Sequence, residues 1–123
     1  MQGERDAKEK LSAAYEESLR TLIANLRKDL DVPRMGFVIG RLSDFSTTEH
    51  WEAVRAAQVG IAEDDPRGAW VDTDDTNDKT KGGRKVDDLH YTQDGYDLFG
   101  RRLARQAVRM IEGREPAPDG RPR

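Results

Sequence analysis

Two short apolar runs, Met35-Gly-Phe-Val-Ile-Gly40 and Ala69-Trp70-Val71, bracket a helix-patterned stretch of the 123-residue chain, and this arrangement restricts the fold more than any other feature. A nearly continuous apolar run of this length suits a strand buried on both faces. Between the two runs Trp51, Val54, Ala57 and Ile61 recur at helical spacing, and Thr47 or Thr48 can cap that helix. Asp64-Asp65-Pro66-Arg67-Gly68 reads as the turn into the second run. Strand, helix and strand in about 35 residues is the pattern of a right-handed crossover between parallel strands, which makes the chain α/β.

Two further helices flank this unit. From about Asp6 to Leu30, Leu11, Tyr15, Leu19, Leu22, Ile23, Leu26 and Leu30 recur at three and four residues, with Asp6 as the expected cap and Pro33 beyond the end. Thr92 caps a last helix whose expected inner face is Tyr96, Phe99, Leu103, Ala107, Met110 and Ile111. Residues 72–86, DTDDTNDKTKGGRKV, read as one long polar surface loop. Gly113 closes the last helix, and residues 113–123, with three prolines, read as a disordered tail.

Three amphipathic helices thus compete for a platform of two short strands. Parallel sheets are normally covered on both faces and contain four or more strands. The expectation is a partial three-layer α/β/α fold over residues 1–112, the C-terminal portion of a larger domain whose N-terminal part is missing.

Composition narrows the function. Leu, Ile, Val and Phe make up under a fifth of the chain, but 21 basic and 24 acidic residues nearly balance, so weak self-repulsion favours a thin-cored globular chain over a disordered one. No basic stripe suggests a nucleic-acid partner. No window approaches a membrane-spanning length of apolar residues, and the charged start MQGERDAKEK does not read as a signal peptide. Without cysteine there is no disulfide framework, thiolate zinc site or thiol nucleophile.

His90 follows the polar loop in Val86-Asp87-Asp88-Leu89-His90-Tyr91. An aspartate three residues before a histidine can fold back to accept the Nδ1 proton, which fixes the tautomer and leaves Nε2 as a general base. Asp87 suits that spacing better than Asp88, while a surface-turn histidine is the plain alternative. His50, between Glu49 and Trp51, reads as structural or solvent-facing. The acidic run Asp72, Asp74, Asp75 and Asp78 lacks the glycine and glutamate of an EF-hand and reads as a solvated loop. Lys81-Gly82-Gly83-Arg84-Lys85 lacks Walker spacing, although a phosphate or nucleotide binder of flavodoxin-like shape would use it. Trp51 and Trp70 read as core rather than ligand platforms.

A strand ending in Asp72-Thr73, then Asp87-Asp88-Leu89-His90-Tyr91, Gly95 and a helix with Phe99-Gly-Arg-Arg-Leu-Ala104 resembles the last block of the SGNH hydrolases, most closely the sialate O-acetylesterase-like carbohydrate esterases. Gln2-Gly3-Glu4-Arg5-Asp6 is similar to a Gln-Gly-Glu-x-Asp segment of that family, and Phe37–Gly40 and Trp51–Gln58 resemble its next strand and helix. The resemblance implies a flavodoxin-like three-layer hydrolase that removes acetyl groups from carbohydrate by a Ser-His-Asp mechanism without a cofactor or metal. By match, His90 is the base, Asp87 its orienting acid, and Gln2 and Gly3 lie in the segment that supplies an oxyanion donor; Glu4 is a supporting residue. The family's nucleophilic serine lies upstream of this block. Ser12, Ser18, Ser43 and Ser46 do not sit in a nucleophile elbow, so the isolated chain is expected to be inactive. A parent enzyme of this type is often exported. The alternative is a non-catalytic α/β module that pairs, or self-associates, through an exposed sheet edge.

Overall fold

The computed structural model describes residues 3–81, 83–86 and 89–123, with the backbone alone for Lys79, Lys81 and Lys85. In chain order the elements are α1 (Glu4–Lys8), α2 (Ser12–Asp29), β1 (Phe37–Gly40), α3 (Glu49–Asp64), β2 (Gly68–Val71), β3 (Lys79–Lys81), β4 (Arg84–Val86) and α4 (Gln93–Ile111). β1 and β2 pair in parallel, from Phe37↔Gly68 to Gly40↔Val71, with α3 as the crossover. The strand, helix, strand reading is therefore the observed architecture. Both α3 and α4 pack on both strands and not on each other, which places them on opposite faces of the sheet; α1 and α2 pack against α3.

The core lies on the α3 side. Ala7, Tyr15, Leu42, Trp51 and Val54 form its buried cluster, with Leu19, Phe45, Ala57 and Leu89 against it. Gln58, 1% exposed, ties three segments together: its Oε1 accepts from Leu42 N at 2.8 Å and its Nε2 donates to the Tyr15 hydroxyl at 2.9 Å. A buried amide with both ends engaged fixes α2 and the end of β1 on α3 at no unsatisfied polar cost.

Four expectations are corrected. The first helix is two, because the chain reverses at Lys10, which adopts a left-handed φ of 60°; Asp6 lies inside α1 rather than capping the longer helix. The polar stretch after β2 contains an antiparallel hairpin, β3 with β4, in the register Lys79↔Val86 to Lys81↔Arg84. Residues 113–123 return to the outer edge of β2. There Asp72 N donates to Gly120 O at 2.8 Å, and the Gln106 side chain holds Ala117 through its N–H and its carbonyl. Gly120 sits with φ 64° against Trp70, where an added Cβ would lie 2.4 Å from the ring.

The fourth correction concerns α4. Its apolar stripe is only partly covered, with Tyr96 51% and Ile111 84% exposed, while Arg102 and Gln106 are the buried side chains. The two sheet edges differ accordingly. The tail covers β2, whereas β1 has no second strand neighbour among the described residues, and Tyr15, Leu19, Phe99 and Leu103 flank it in an open groove of about 310 Å³. No helix among the described residues is long and apolar enough to cross a membrane.

Candidate functional site

The loop after β2 positions the segment that carries His90. Thr73 and Thr76 are fully buried and Asn77 nearly so. Thr76 O accepts from Thr92 N at 3.0 Å, and the Thr73 and Thr76 side chains hydrogen-bond the hydroxyl of Tyr91, which is 5% exposed. Burial pushes that phenol up to about 12, the threonine hydrogen bonds opposing the shift in part, so Tyr91 stays neutral at physiological pH. Thr92 caps α4 as its sequence suggests, accepting from Gly95 N at 2.9 Å. His90 is thus an exposed residue two positions before a pinned cap, next to the buried Tyr91.

His90 lines a cleft of about 280 Å³ together with Glu4, Leu89, Tyr91, Tyr96 and Phe99. Its floor is an aromatic stack: Tyr91 packs on Tyr96 at 5.3 Å and edge-on against Phe99 at 5.6 Å between ring centroids. The opposite end of the chain supplies Glu4, the first residue of α1. Gly3 precedes it, buried and at φ 108°, and a Cβ there would meet Val54 Cγ1 at 2.8 Å and Tyr15 at 3.1 Å. Only glycine fits that turn. Gly3 O accepts from Ala7 N at 2.9 Å, which seats the start of α1 on the core.

Of the four site residues read from the sequence, the structure places His90 in this cleft and Gly3 in the turn beside it. Asp87 and Gln2 lie outside the described residues. Glu4, Tyr96 and Phe99, which the sequence suggests as support or core, also line the cleft; the available signal is that Tyr96 shares one helix face with Phe99 soon after the histidine. No described serine lines the cleft. Ser12 Oγ is 2.8 Å from His50 Nδ1, Ser46 Oγ hydrogen-bonds Thr48 Oγ1, Ser43 is fully buried, and Ser18 is exposed on α2. His50 is therefore held by Ser12, a contact across 38 residues that spacing cannot reveal.

Behind the cleft, the acidic run is an ion-pair lattice rather than a solvated loop. Arg41 bonds Asp72 and Asp74, Arg55 forks onto Asp74 at 2.8 and 3.0 Å, Arg102 forks onto Asp75 at 2.6 and 2.7 Å, and Arg121 reaches Asp72 at 2.6 Å. The Arg102 fork holds the Asp75 carboxyl below its usual range; for Asp72, burial pushes upward but Arg121, the Asp74 amide and Arg41 together bring it below. Among the described residues no group of acidic or histidine side chains is arranged to hold a metal. Trp51 is core at 1% exposure, its indole N–H donating to Ser43 O at 2.8 Å, whereas Trp70 is half-buried under Arg41.

A family model described as carbohydrate esterase, sialic acid-specific acetylesterase, matches the chain over residues 1–109. No curated protein and no solved structure matches it at a significant level.

Proposed function

The chain belongs to the sialic acid-specific acetylesterase family of carbohydrate esterases, and we propose that it carries the base side of a Ser-His-Asp acetylesterase site. Hydrolysis of acetyl esters on carbohydrate is the activity of the family. One observation supports the assignment here most strongly: the Gly3-Glu4 turn and the Leu89-His90-Tyr91 segment, from opposite ends of the matched region, meet at one cleft.

In this reading Asp87 accepts a hydrogen bond from His90 Nδ1–H and holds Nε2 towards the attacking hydroxyl. Nε2 takes the hydroxyl proton as the oxygen bonds to the acetyl carbonyl carbon, then delivers it to the sugar oxygen as the ester bond breaks. N–H donors of the Gln2-Gly3 segment face the oxyanion, a contribution on the order of 3 kcal/mol per donor. Water then attacks the acetylated serine with His90 again as base. Because the four serines are exposed, buried or engaged elsewhere, the hydroxyl comes from polypeptide outside these residues, and 1–112 acts as a portion of a larger domain. The open edge of β1 is where such a segment extends the sheet.

Hydrolysis of p-nitrophenyl acetate tests this. The chain alone is expected to match the buffer rate, because losing the nucleophile of such a unit costs about six orders of magnitude in turnover. Turnover above buffer that survives in His90→Ala overturns the assignment of the base; turnover that disappears in His90→Ala overturns the external serine.

A second reading, a non-catalytic module that pairs through its sheet edge, is supported by that same open β1 edge and by half-exposed Leu22 and Leu26 on α2.

A further inference from the structure

We propose that Arg105, Arg109, Arg114 and Arg123 form a binding site for a phosphate group, free or carried as a monoester, at the end of α4 remote from His90. These residues, with Ala104 and Val108, line a pocket of about 170 Å³. α4 runs back along β1: Phe99 lies against Gly40 at the end of the strand, and Met110 lies against Gly36 just before it begins. At the rise of an α-helix, Arg105 sits about 18 Å along the axis from Gln93, so the pocket stands apart from the cleft and from the acetylesterase reading.

These arginines differ from the others in how they are held. Arg27, Arg41, Arg55 and Arg102 each engage a carboxylate. By contrast, Arg109 Nε donates to Glu115 O at 2.7 Å and Arg105 Nη1 reaches Pro122 O at 3.5 Å, both main-chain carbonyls of the tail. A carbonyl orients a guanidinium without neutralising it, and each fork keeps further N–H donors. Arg114 pairs with Glu112 where both side chains are half exposed, a contact of little strength that a better acceptor can take over. Glu112, the α-carboxylate of Arg123 and the negative end of the α4 dipole count against the four cations and leave positive charge in excess. Glu115 lines a separate groove with Trp70 and Pro116.

A tetrahedral phosphate fits this arrangement better than a planar carboxylate does. Arg105 and Arg109 project from successive turns of α4, while Arg114 and Arg123 belong to the tail, so donors come from two elements. The two oxygens of a carboxylate satisfy one fork, whereas the three free oxygens of a phosphate monoester accept from several. The volume suits one such group and is below that of a drug-sized ligand site. The remainder of an ester therefore extends into solvent past Val108, which is 46% exposed.

The test is proton–nitrogen NMR of the 123-residue chain at pH 7 and constant ionic strength, where a phosphate monoester carries about −1.5 to −2 charge. Inorganic phosphate, glucose 6-phosphate and acetate are the probes. Both phosphates are expected to shift the amide signals of residues 104–116 saturably, with a Kd at least about tenfold below that of acetate. Tighter binding of glucose 6-phosphate identifies an ester as the source, and tighter binding of inorganic phosphate the free ion. Arg105→Gln and Arg109→Gln are each expected to weaken phosphate binding about tenfold. Because both side chains also hold the tail, Arg123→Gln, which leaves those two contacts in place, provides an independent reading and is expected to weaken binding about threefold. Arg5→Gln, an exposed arginine on α1, is expected to change it by less than about twofold. Shifts that do not saturate, equal affinity for acetate and phosphate, or a Kd unchanged in both Arg105→Gln and Arg123→Gln overturn the site.

Discussion

Gly95 lies so close to Thr76 that a Cβ on the glycine would sit 2.0 Å from the Thr76 carbonyl oxygen, the same oxygen that accepts from Thr92 N. The first turn of α4 is therefore pressed onto the loop after β2, and His90 immediately precedes that seam. Gly95→Ala is expected to destabilise the chain by about 2 to 3 kcal/mol, the usual scale of overpacking, and to broaden the His90 NMR signals. Thr92→Ala, which removes the cap and a long 3.4 Å hydrogen bond from Thr92 Oγ1 to Thr76 O, is expected to cost about 1 kcal/mol. Urea unfolding measures both; equal costs would argue against the close approach.

Arg102 is 6% exposed, forks onto Asp75 and also donates to Asp72 O at 2.8 Å. Removing one side of a buried pair leaves the other charge uncompensated. Because the Asp75 side chain keeps 34% exposure, water recovers part of that loss. Arg102→Met is expected to destabilise by about 2 kcal/mol in urea unfolding, whereas Arg5→Ala, at an exposed helical pair with Glu9, is expected to cost under about 0.5 kcal/mol.

Acid stability follows from the same lattice. Asp65, beside Arg27, shares with Asp72 and Asp75 a carboxyl held below its usual range. A depressed carboxyl stabilises the fold above its unfolded pKa, about 3.9, and that stability disappears as pH falls through the lower folded value. Thermal unfolding is expected to be insensitive to these groups near neutrality and to lose stability steeply below about pH 4. In Asp75→Asn the acid dependence is expected to be shallower. A slope unchanged by that substitution would remove the lattice as its source.

The parts of the fold legible in the sequence were those written in local periodicity. β1, β2, α3 and the Thr92 cap follow from apolar runs, helical spacing and a hydroxyl before a helix. The rest depended on contacts between distant residues. The break between α1 and α2 rests on a left-handed lysine, which carries no signature. The tail reads as disordered by its prolines, yet Gln106 and Gly120 anchor it through backbone groups that composition does not show. The acidic run reads as solvated because its arginine partners Arg41, Arg55, Arg102 and Arg121 are scattered over the chain. At the cleft, motif order points to His90 and Gly3 from the sequence alone, whereas Glu4's place in the same lining as His90 requires the fold.

The proposed coupling of Asp87 to His90 is tested most directly by the pH titration of the His90 ring protons in the wild-type chain and in Asp87→Asn. A carboxylate that accepts a hydrogen bond from Nδ1–H stabilises the imidazolium, so the substitution is expected to move the His90 titration midpoint down by at least about half a unit. A His90 curve that does not move would contradict the pairing and, with it, the assignment of this cleft as the base side of an esterase.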